Sequence, residues 1–515
     1  MIKFIRTVLL LLTILSSVEN SKAVSHIPQA AADFKIKGFH LDLRIQVMKP
    51  EALKQFARQL HSAGINTLVM EYEATFPFEK HPLIANRYAY TKAEIADFVK
   101  YCAGLGIDVI PLQQTFGHVE YILRFQQYAK LRESNKDYSQ VNPTKEALCK
   151  ELFKDLITEI AALHPSKYFH IGCDETRLLG FSPESKAKVE KYGIGRLYGD
   201  YVKMICDIVM ELGKTPVLWA DIALKYPESM KSLPKEAIFV DWNYGWDLNL
   251  FGDHQKLMDS GFEIWGAPSI RSSPDNYNLT TWDRHFKNIH DFVPQARKLG
   301  YTGIIMTSWS TSGIYSYLNE SGPDIIDLYA IRRVYPITGF NMLLEAYFKA
   351  IKQDEPLNAD EFVKGYTKDR YGFTGDQSAR FLKALTTVPY QVGQGKVSGK
   401  KISLKTMLDS VLYAHQVLEE LKPLKNGQEY EHYLLMSRTR VLYLEYQNIE
   451  QKAGSSSDRK SLSAQLRDLI SRCEKLNQDY IKANEKSFYV SELAVDNQIR
   501  IGKMKLLYDR LSGNR

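Results

Sequence analysis

Between residues 39 and 310 the chain repeats one pattern. A short run of apolar, often β-branched residues ends in polar or aromatic side chains, and an amphipathic stretch follows. The apolar runs cover 39–44, 67–73, 108–115, 168–175, 216–222, 237–244, 263–270 and 303–310. Continuous apolar runs suit strands covered on both faces of a parallel sheet. The stretches between them carry a helical period. Leu53, Phe56, Ala57 and Leu60 share one face after Pro50, and Gly64 closes that segment. Ile95, Phe98, Val99 and Cys102 do the same before Gly104, and Leu148, Leu152, Ile157 and Ile160 before Pro165. Proline near the start and glycine or proline past the end are helix punctuation. Eight strand–helix units in this order predict an α/β protein built on a (β/α)8 TIM barrel. An open doubly wound sheet would instead place a glycine-rich phosphate turn after an early strand, and the sequence has none.

Past about residue 337 the strand signals stop. Long charged helical patterns follow, such as 404–421 and 430–452, with a loop expected over 393–401 and a connector over 454–457. The expected division is a signal peptide over 1–23, a catalytic TIM barrel over 24–345 and a mostly α-helical C-terminal domain over 346–515. The signal peptide is read from Lys3 and Arg6, the short apolar run from Val8 to Leu15, and the small residues around Ala23. That run is too short to span a bilayer, and no later stretch reaches that length. The expectation is a secreted or periplasmic protein with no membrane span. The sequons at Asn278 and Asn319 matter only in a glycosylating host.

Composition excludes more than it assigns. A net charge of +7, with basic and acidic residues interspersed, gives no patch for nucleic acid. Five cysteines are too few for a disulfide scaffold, and no pair has the spacing of zinc ligands, so neither a metal nor a cofactor is expected. Cys102, Cys149 and Cys206 fall within helical patterns and read as small core residues.

In a barrel, chemistry belongs at the C-terminal ends of the strands. The second strand here ends Glu71-Tyr72-Glu73, and the third leads into Thr115-Phe116-Gly117-His118-Val119-Glu120. The fourth ends His170-Ile171-Gly172-Cys173-Asp174-Glu175. The fifth carries Trp219 and Asp221, the sixth Asp241-Trp242-Asn243-Tyr244, and the eighth Trp309. Tryptophan faces stack on the apolar faces of sugar rings, and carboxylates bond hydroxyls. Hydrolysis of a glycosidic bond needs a proton donor and a group that stabilises an oxocarbenium-like centre. Two adjacent carboxylates can supply both if the strand ends there, and repulsion from Asp174 would raise the pKa of an acid at Glu175. Each residue also has a plain structural reading. An Asp-Glu pair can be a solvated cap, His118 a buried structural histidine, Glu71 or Glu73 a barrel ion pair, and the tryptophans core.

The run His170-Ile171-Gly172-Cys173-Asp174-Glu175 resembles the His-x-Gly-Gly-Asp-Glu signature of family 20 glycoside hydrolases, with Cys173 in place of a glycine. Together with 71–79 and 114–120 it is similar to the hexosaminidase D branch of that family. The resemblance implies an exo-acting β-N-acetylhexosaminidase, with a terminal N-acetylhexosamine on a glycan as substrate. It implies that the substrate's own acetamido oxygen is the nucleophile. Asp174 would then orient the acetamide, and Glu175 would protonate the leaving oxygen and later activate water. His118 would link Glu175 to a further carboxylate, Glu71 or Glu73 by position. Trp219, Trp242 and Trp309 would form pocket walls, and Tyr244, with Tyr277 behind it, would bond the acetamide. Where the family often has Arg-Gly at the first strand this chain has Lys37-Gly38, which leaves His40, Asp42 or Arg44 to grip the sugar hydroxyls, with Glu73 beside them. Three rivals stand beside this reading: a non-catalytic glycan-binding barrel, a retaining glycosidase with a carboxylate nucleophile, and a metal-dependent barrel hydrolase. The last would want a His-x-His at the first strand, where His40 stands alone.

Overall fold

The computed structural model describes residues 33–311, 333–393, 396–398, 402–454 and 458–513. The expected signal peptide and the Asn319 sequon lie outside the described residues. Eight parallel strands close into a barrel: β1 Ile36–Asp42, β2 Thr67–Glu71, β3 Asp108–Leu112, β4 Tyr168–His170, β5 Thr215–Trp219, β6 Ile238–Trp242, β7 Glu263–Ala267 and β9 Gly303–Ser308. Closure is the parallel pairing of β1 with β9, in register from Ile36 opposite Gly303 to Leu41 opposite Ser308.

Each strand stops earlier than its apolar run. The leftover residues turn into loops at the mouth, where the local backbone is left-handed at several positions, including Glu73, His118, Cys173 and Glu175. One apolar run, 263–270, is not a single strand. β7 ends at Ala267, and the chain restarts as β8, Ser269–Arg271, which pairs with β9.

Strand alternation sorts the side chains. Phe39, Leu41, Leu68 and Met70 face outward into the layer shared with the helices. Val69, Ile110, Val217, Val240, Trp265 and Ile305 fill the barrel interior. The outer helices include Pro50–Ser62, Lys92–Gly104, Glu146–Ala161, Ile194–Glu211, Trp282–Lys298 and Asn341–Ala350. The last of these sends the Tyr347 hydroxyl to the Gly38 carbonyl at 2.8 Å. The helix Lys92–Gly104 shows why these segments start where they do: Thr91 and Glu94 form a reciprocal capping box.

After residue 350 the described elements are helical: Ala359–Tyr371, Gly375–Leu385, Leu404–Glu420, Gly427–Ala453, Arg459–Asn484 and Val490–Ser512. The exception falls where a loop was expected. Val392–Gly393 and Lys396–Val397 form a two-stranded antiparallel pair. No described helix is long and apolar enough to cross a membrane. The five cysteines are all buried and free.

Candidate active site

The strand ends enclose a pocket of about 290 Å³, lined by His118, Asp174, Glu175, Trp219, Trp242, Tyr244 and Trp309, and also by Arg44, Trp246, Leu250, Phe251, Ser272, Ser273 and Thr311. Asp174 and Glu175 reach it because β4 ends at His170. From there Gly172, Cys173 and Glu175 take positive φ, so pleat alternation no longer applies. Gly172 has to be glycine: a Cβ there would overlap the Gln114 side chain, and its φ is +70°. Gly117 lies so close to the Asp174 carbonyl that a Cβ would overlap that oxygen. The backbone N–H of Glu175 donates to Asp221 Oδ2 at 3.0 Å, which fixes the turn from the start of the β5 loop. Clusters of strained backbone of this kind persist only where the surroundings over-determine them.

His118 Nε2 lies 3.2 Å from Asp174 Oδ2 and 3.4 Å from Glu175 Oε2. Burial opposes a charged imidazole, but Asp174 and Glu175 outweigh it and hold the His118 pKa well above its ordinary value. The consequence for Glu175 is the reverse of the sequence expectation. Burial raises its carboxyl, yet the hydrogen bond and charge of His118, together with Arg177 at 2.7 Å, bring it down to about 2. Repulsion from Asp174 does not prevail, because a cation sits between the two carboxylates. Two other carboxyls behave oppositely. Burial, with repulsion from Asp174, lifts Asp221 to about 7, and burial lifts Glu120 to about 7.

The further carboxylate expected on His118 is not bonded to it. Nδ1 of His118 has no hydrogen-bond partner among the described residues. Glu71 is committed elsewhere: Oε2 pairs with His40 Nε2 at 2.8 Å, and Oε1 accepts from Gln114 at 3.2 Å. Glu73 is buried and, like His40 and Asp42, is not among the wall residues. The reason is the pleat. Phe39 and Leu41 point outward, so His40 and Asp42 point into the barrel beneath the pocket. His40 packs under Trp309 with ring centroids 4.5 Å apart. Asp42 is saturated: Oδ2 accepts from Ser310 N–H and Oγ–H at 2.8 Å each, and both oxygens hold the Arg44 guanidinium. Of the three first-strand candidates, Arg44 alone reaches the wall, 5.2 Å from the Trp309 ring centroid.

Tyr244 accepts the Trp309 indole N–H at 2.8 Å, which holds its hydroxyl at the pocket wall. Tyr277 lies elsewhere, edge-on to Tyr443. Asp174 Oδ1, Trp219 Nε1, Ser272 Oγ and Thr311 Oγ1 are buried with no hydrogen-bond partner among the described residues. An unsatisfied buried polar atom costs about 1–3 kcal/mol, so this wall is built for a polar ligand. Residues missed by the sequence reading follow two patterns. Trp246, Leu250 and Phe251 continue the aromatic-rich stretch that begins at Trp242, and that density was a usable signal. Ser272 and Ser273 come to the wall through β8, which a single apolar run concealed.

A family model described as "Glycosyl hydrolase family 20, catalytic domain" matches residues 38–312. Hexosaminidase D of Bos taurus is 31% identical over 301 residues, which cover 55% of this chain and 87% of that protein. Hexosaminidase D of Homo sapiens is 31% identical over 308 residues, 56% of this chain and 63% of that protein. A solved β-N-acetylhexosaminidase from Bacteroides fragilis NCTC 9343 aligns with a TM-score of 0.49 at 16% identity, over 65% of this chain and 70% of that one.

Proposed function

The chain belongs to glycosyl hydrolase family 20, and from that premise we propose that it is an exo-acting β-N-acetylhexosaminidase. It would remove a terminal non-reducing N-acetylgalactosamine or N-acetylglucosamine from a glycoconjugate by substrate-assisted retaining catalysis.

The observation that carries the mechanism is the shared imidazole. Asp174 and Glu175 both approach Nε2 of His118 within 3.4 Å. A retaining enzyme with its own carboxylate nucleophile sets its two carboxyls about 5–5.5 Å apart, flanking the scissile bond. Here both carboxylates engage one imidazole nitrogen, which supports roles on one face of the sugar and a nucleophile supplied by the substrate. In this reading Asp174 Oδ1, which has no hydrogen-bond partner among the described residues, accepts the acetamide N–H and turns its carbonyl oxygen toward the anomeric carbon. Tyr244 donates to that oxygen. Glu175 gives a proton to the departing oxygen and later takes one from water. Trp219, Trp242 and Trp309 supply apolar faces, and Arg44 takes ring hydroxyls. A pocket of about 290 Å³ lies at the small end for ligand sites, which suits one terminal sugar. Export through residues 1–23 is part of the proposal and rests on sequence alone.

The test compares nitrophenyl β-N-acetylglucosaminide and β-N-acetylgalactosaminide with the matching β-glucoside and β-galactoside. An intramolecular nucleophile is worth roughly 7–11 kcal/mol of barrier, so the 2-hydroxyl sugars are expected to be inert. A thiazoline mimic of the cyclic intermediate should inhibit, and Asp174→Asn should weaken both turnover and that inhibition. A covalent adduct with a 2-fluoro glycoside, seen by mass spectrometry on any carboxylate, would overturn the mechanism.

A further inference from the structure

The loop leaving β1 has two tasks. It must present Arg44 to the pocket, and it must reach the helix that starts at Pro50. Within four residues of Asp42 it bends through Gln46, whose φ is +58°, a left-handed conformation that disfavours a non-glycine residue. What holds the bend comes from the far end of the chain. Glu492, in the first turn of the helix Val490–Ser512, accepts the backbone N–H of Gln46 on one carboxylate oxygen at 2.7 Å and that of Val47 on the other at 2.6 Å. Glu492 is 5% exposed. The Gln46 side chain completes the fastening: its amide donates to the Val334 carbonyl at 2.6 Å, and its oxygen accepts from Arg271 at 3.0 Å. Lys49 N–H adds a bond to the Ser487 carbonyl at 2.8 Å.

Arg44 lies two residues before this clasp. Its guanidinium is flat against Asp42 through two hydrogen bonds and sits over Trp309. Asp42 and Trp309 belong to the barrel, and Asp42 Oδ1 also accepts the Arg44 backbone N–H at 2.8 Å; the bend that follows at residues 46 and 47 is held by Glu492, which does not line the pocket.

We propose that Glu492 is a positioning residue for substrate binding: by clasping the N–H groups of Gln46 and Val47 it sets Arg44 against Asp42 and Trp309, and so makes the last helix part of the sugar-binding wall. This rests on the reading of Arg44 as a hydroxyl-binding residue, and the experiment separates the two. The full chain is made as E492Q, R44K and the double variant, with KM and kcat measured on a nitrophenyl N-acetylhexosaminide and Tm alongside. Burial lifts the Glu492 carboxyl to about 7, so the assays are run at about pH 8.5, where it accepts both N–H groups as a carboxylate. E492Q should then raise KM by about tenfold while kcat stays within about twofold. R44K, which keeps the charge but loses two-point geometry, should also raise KM. In the double variant KM should equal that of R44K alone, because the clasp acts only through Arg44. The proposal is overturned if E492Q lowers Tm with KM unchanged, or if its KM effect persists in full on the R44K background. If R44K leaves KM unchanged, the Arg44 reading fails and the inference falls with it. Should E492Q not fold, E492D takes its place in the cycle, since it keeps the charge and withdraws the carboxylate by one methylene.

Discussion

A side chain that gives a proton to a departing oxygen must first hold one, and at Glu175 two cations oppose that. His118 and Arg177 keep its carboxyl near 2, while the Asp174–Glu175 pair holds His118 protonated well past its ordinary range. The proton therefore rests on the imidazole of His118 and not on Glu175. Delivery to a leaving group then draws on His118 through Glu175. Two predictions belong here. Glu175→Gln should keep the fold and lose about 10²- to 10⁴-fold in kcat on a disaccharide with a poor leaving group. A rate near that of the unaltered enzyme on that substrate would remove Glu175 from the acid role. For His118→Ala the sign follows from which group carries the proton. The unaltered enzyme should lose kcat/KM only as pH rises through the raised His118 value. Without the imidazole the proton must sit on a carboxyl, which releases it at lower pH, so the alkaline limb should move acidward by about one unit or more. Kinetics from pH 4 to 10 check this. A drop in Tm with an unshifted limb would make His118 structural only.

The turn after β4 is the element that makes a site out of a strand end. Three of its four residues from Gly172 to Glu175 have positive φ, and the chain is held by Asp221 below and Gly117 beside it. Glycine is required at residue 172 for two separate reasons, conformation and space. A control distinguishes them. Gly106 has φ +74° but open space where a Cβ would go. Gly106→Ala should cost about 1–2 kcal/mol of stability and leave kcat/KM unchanged. Gly172→Ala adds the overlap with Gln114 and should cost more, with kcat falling because Asp174 and Glu175 lose their common approach to His118. Thermal unfolding and kinetics on the two variants decide. Equal effects on stability with full activity in both would mean that the turn tolerates displacement.

For the whole molecule the buried carboxyls leave a signature in stability against pH. Asp221 and Glu120 are raised to about 7 by burial, so the folded protein keeps protons that the unfolded chain releases near pH 4 to 4.5. Their contribution is fully present below that range and is lost as pH rises toward 7 and beyond. Glu175 acts in the opposite sense: its lowered pKa adds stability above about 4.5, lost only as pH falls toward 2. Glu120→Gln removes one ionisation without removing volume. The variant should gain stability relative to the unaltered protein at pH 8, by an amount on the order of 3 kcal/mol or less, and show little gain at pH 4. Thermal unfolding at the two pH values tests it, and an equal effect at both would show that Glu120 does not titrate in this range.

Much of the fold is written locally. The period of apolar residues depends only on neighbours along the chain, so eight strands and their helices are legible from 39 to 310, and strand ends are where barrels keep polar and aromatic side chains. That rule picks out His118, Asp174, Glu175, Trp219, Trp242, Tyr244 and Trp309, which the structure brings to one pocket. Three matters were decided only by the tertiary structure. The exact ends of the strands determine whether a side chain faces the barrel or the pocket, and an error of one residue exchanges His40 or Asp42 for its neighbour. The break after Ala267 is invisible because both pieces are equally apolar. Charge state is the third. Sequence shows that Asp174 adjoins Glu175, but not that the His118 cation lies between them or that Arg177 folds back, and it is distance in space that fixes the sign of a pKa shift. Glu492 follows the same logic. It is 446 residues from Gln46, and no local pattern relates a carboxylate in the last helix to the loop that carries Arg44; only the packing of that helix against the barrel mouth does.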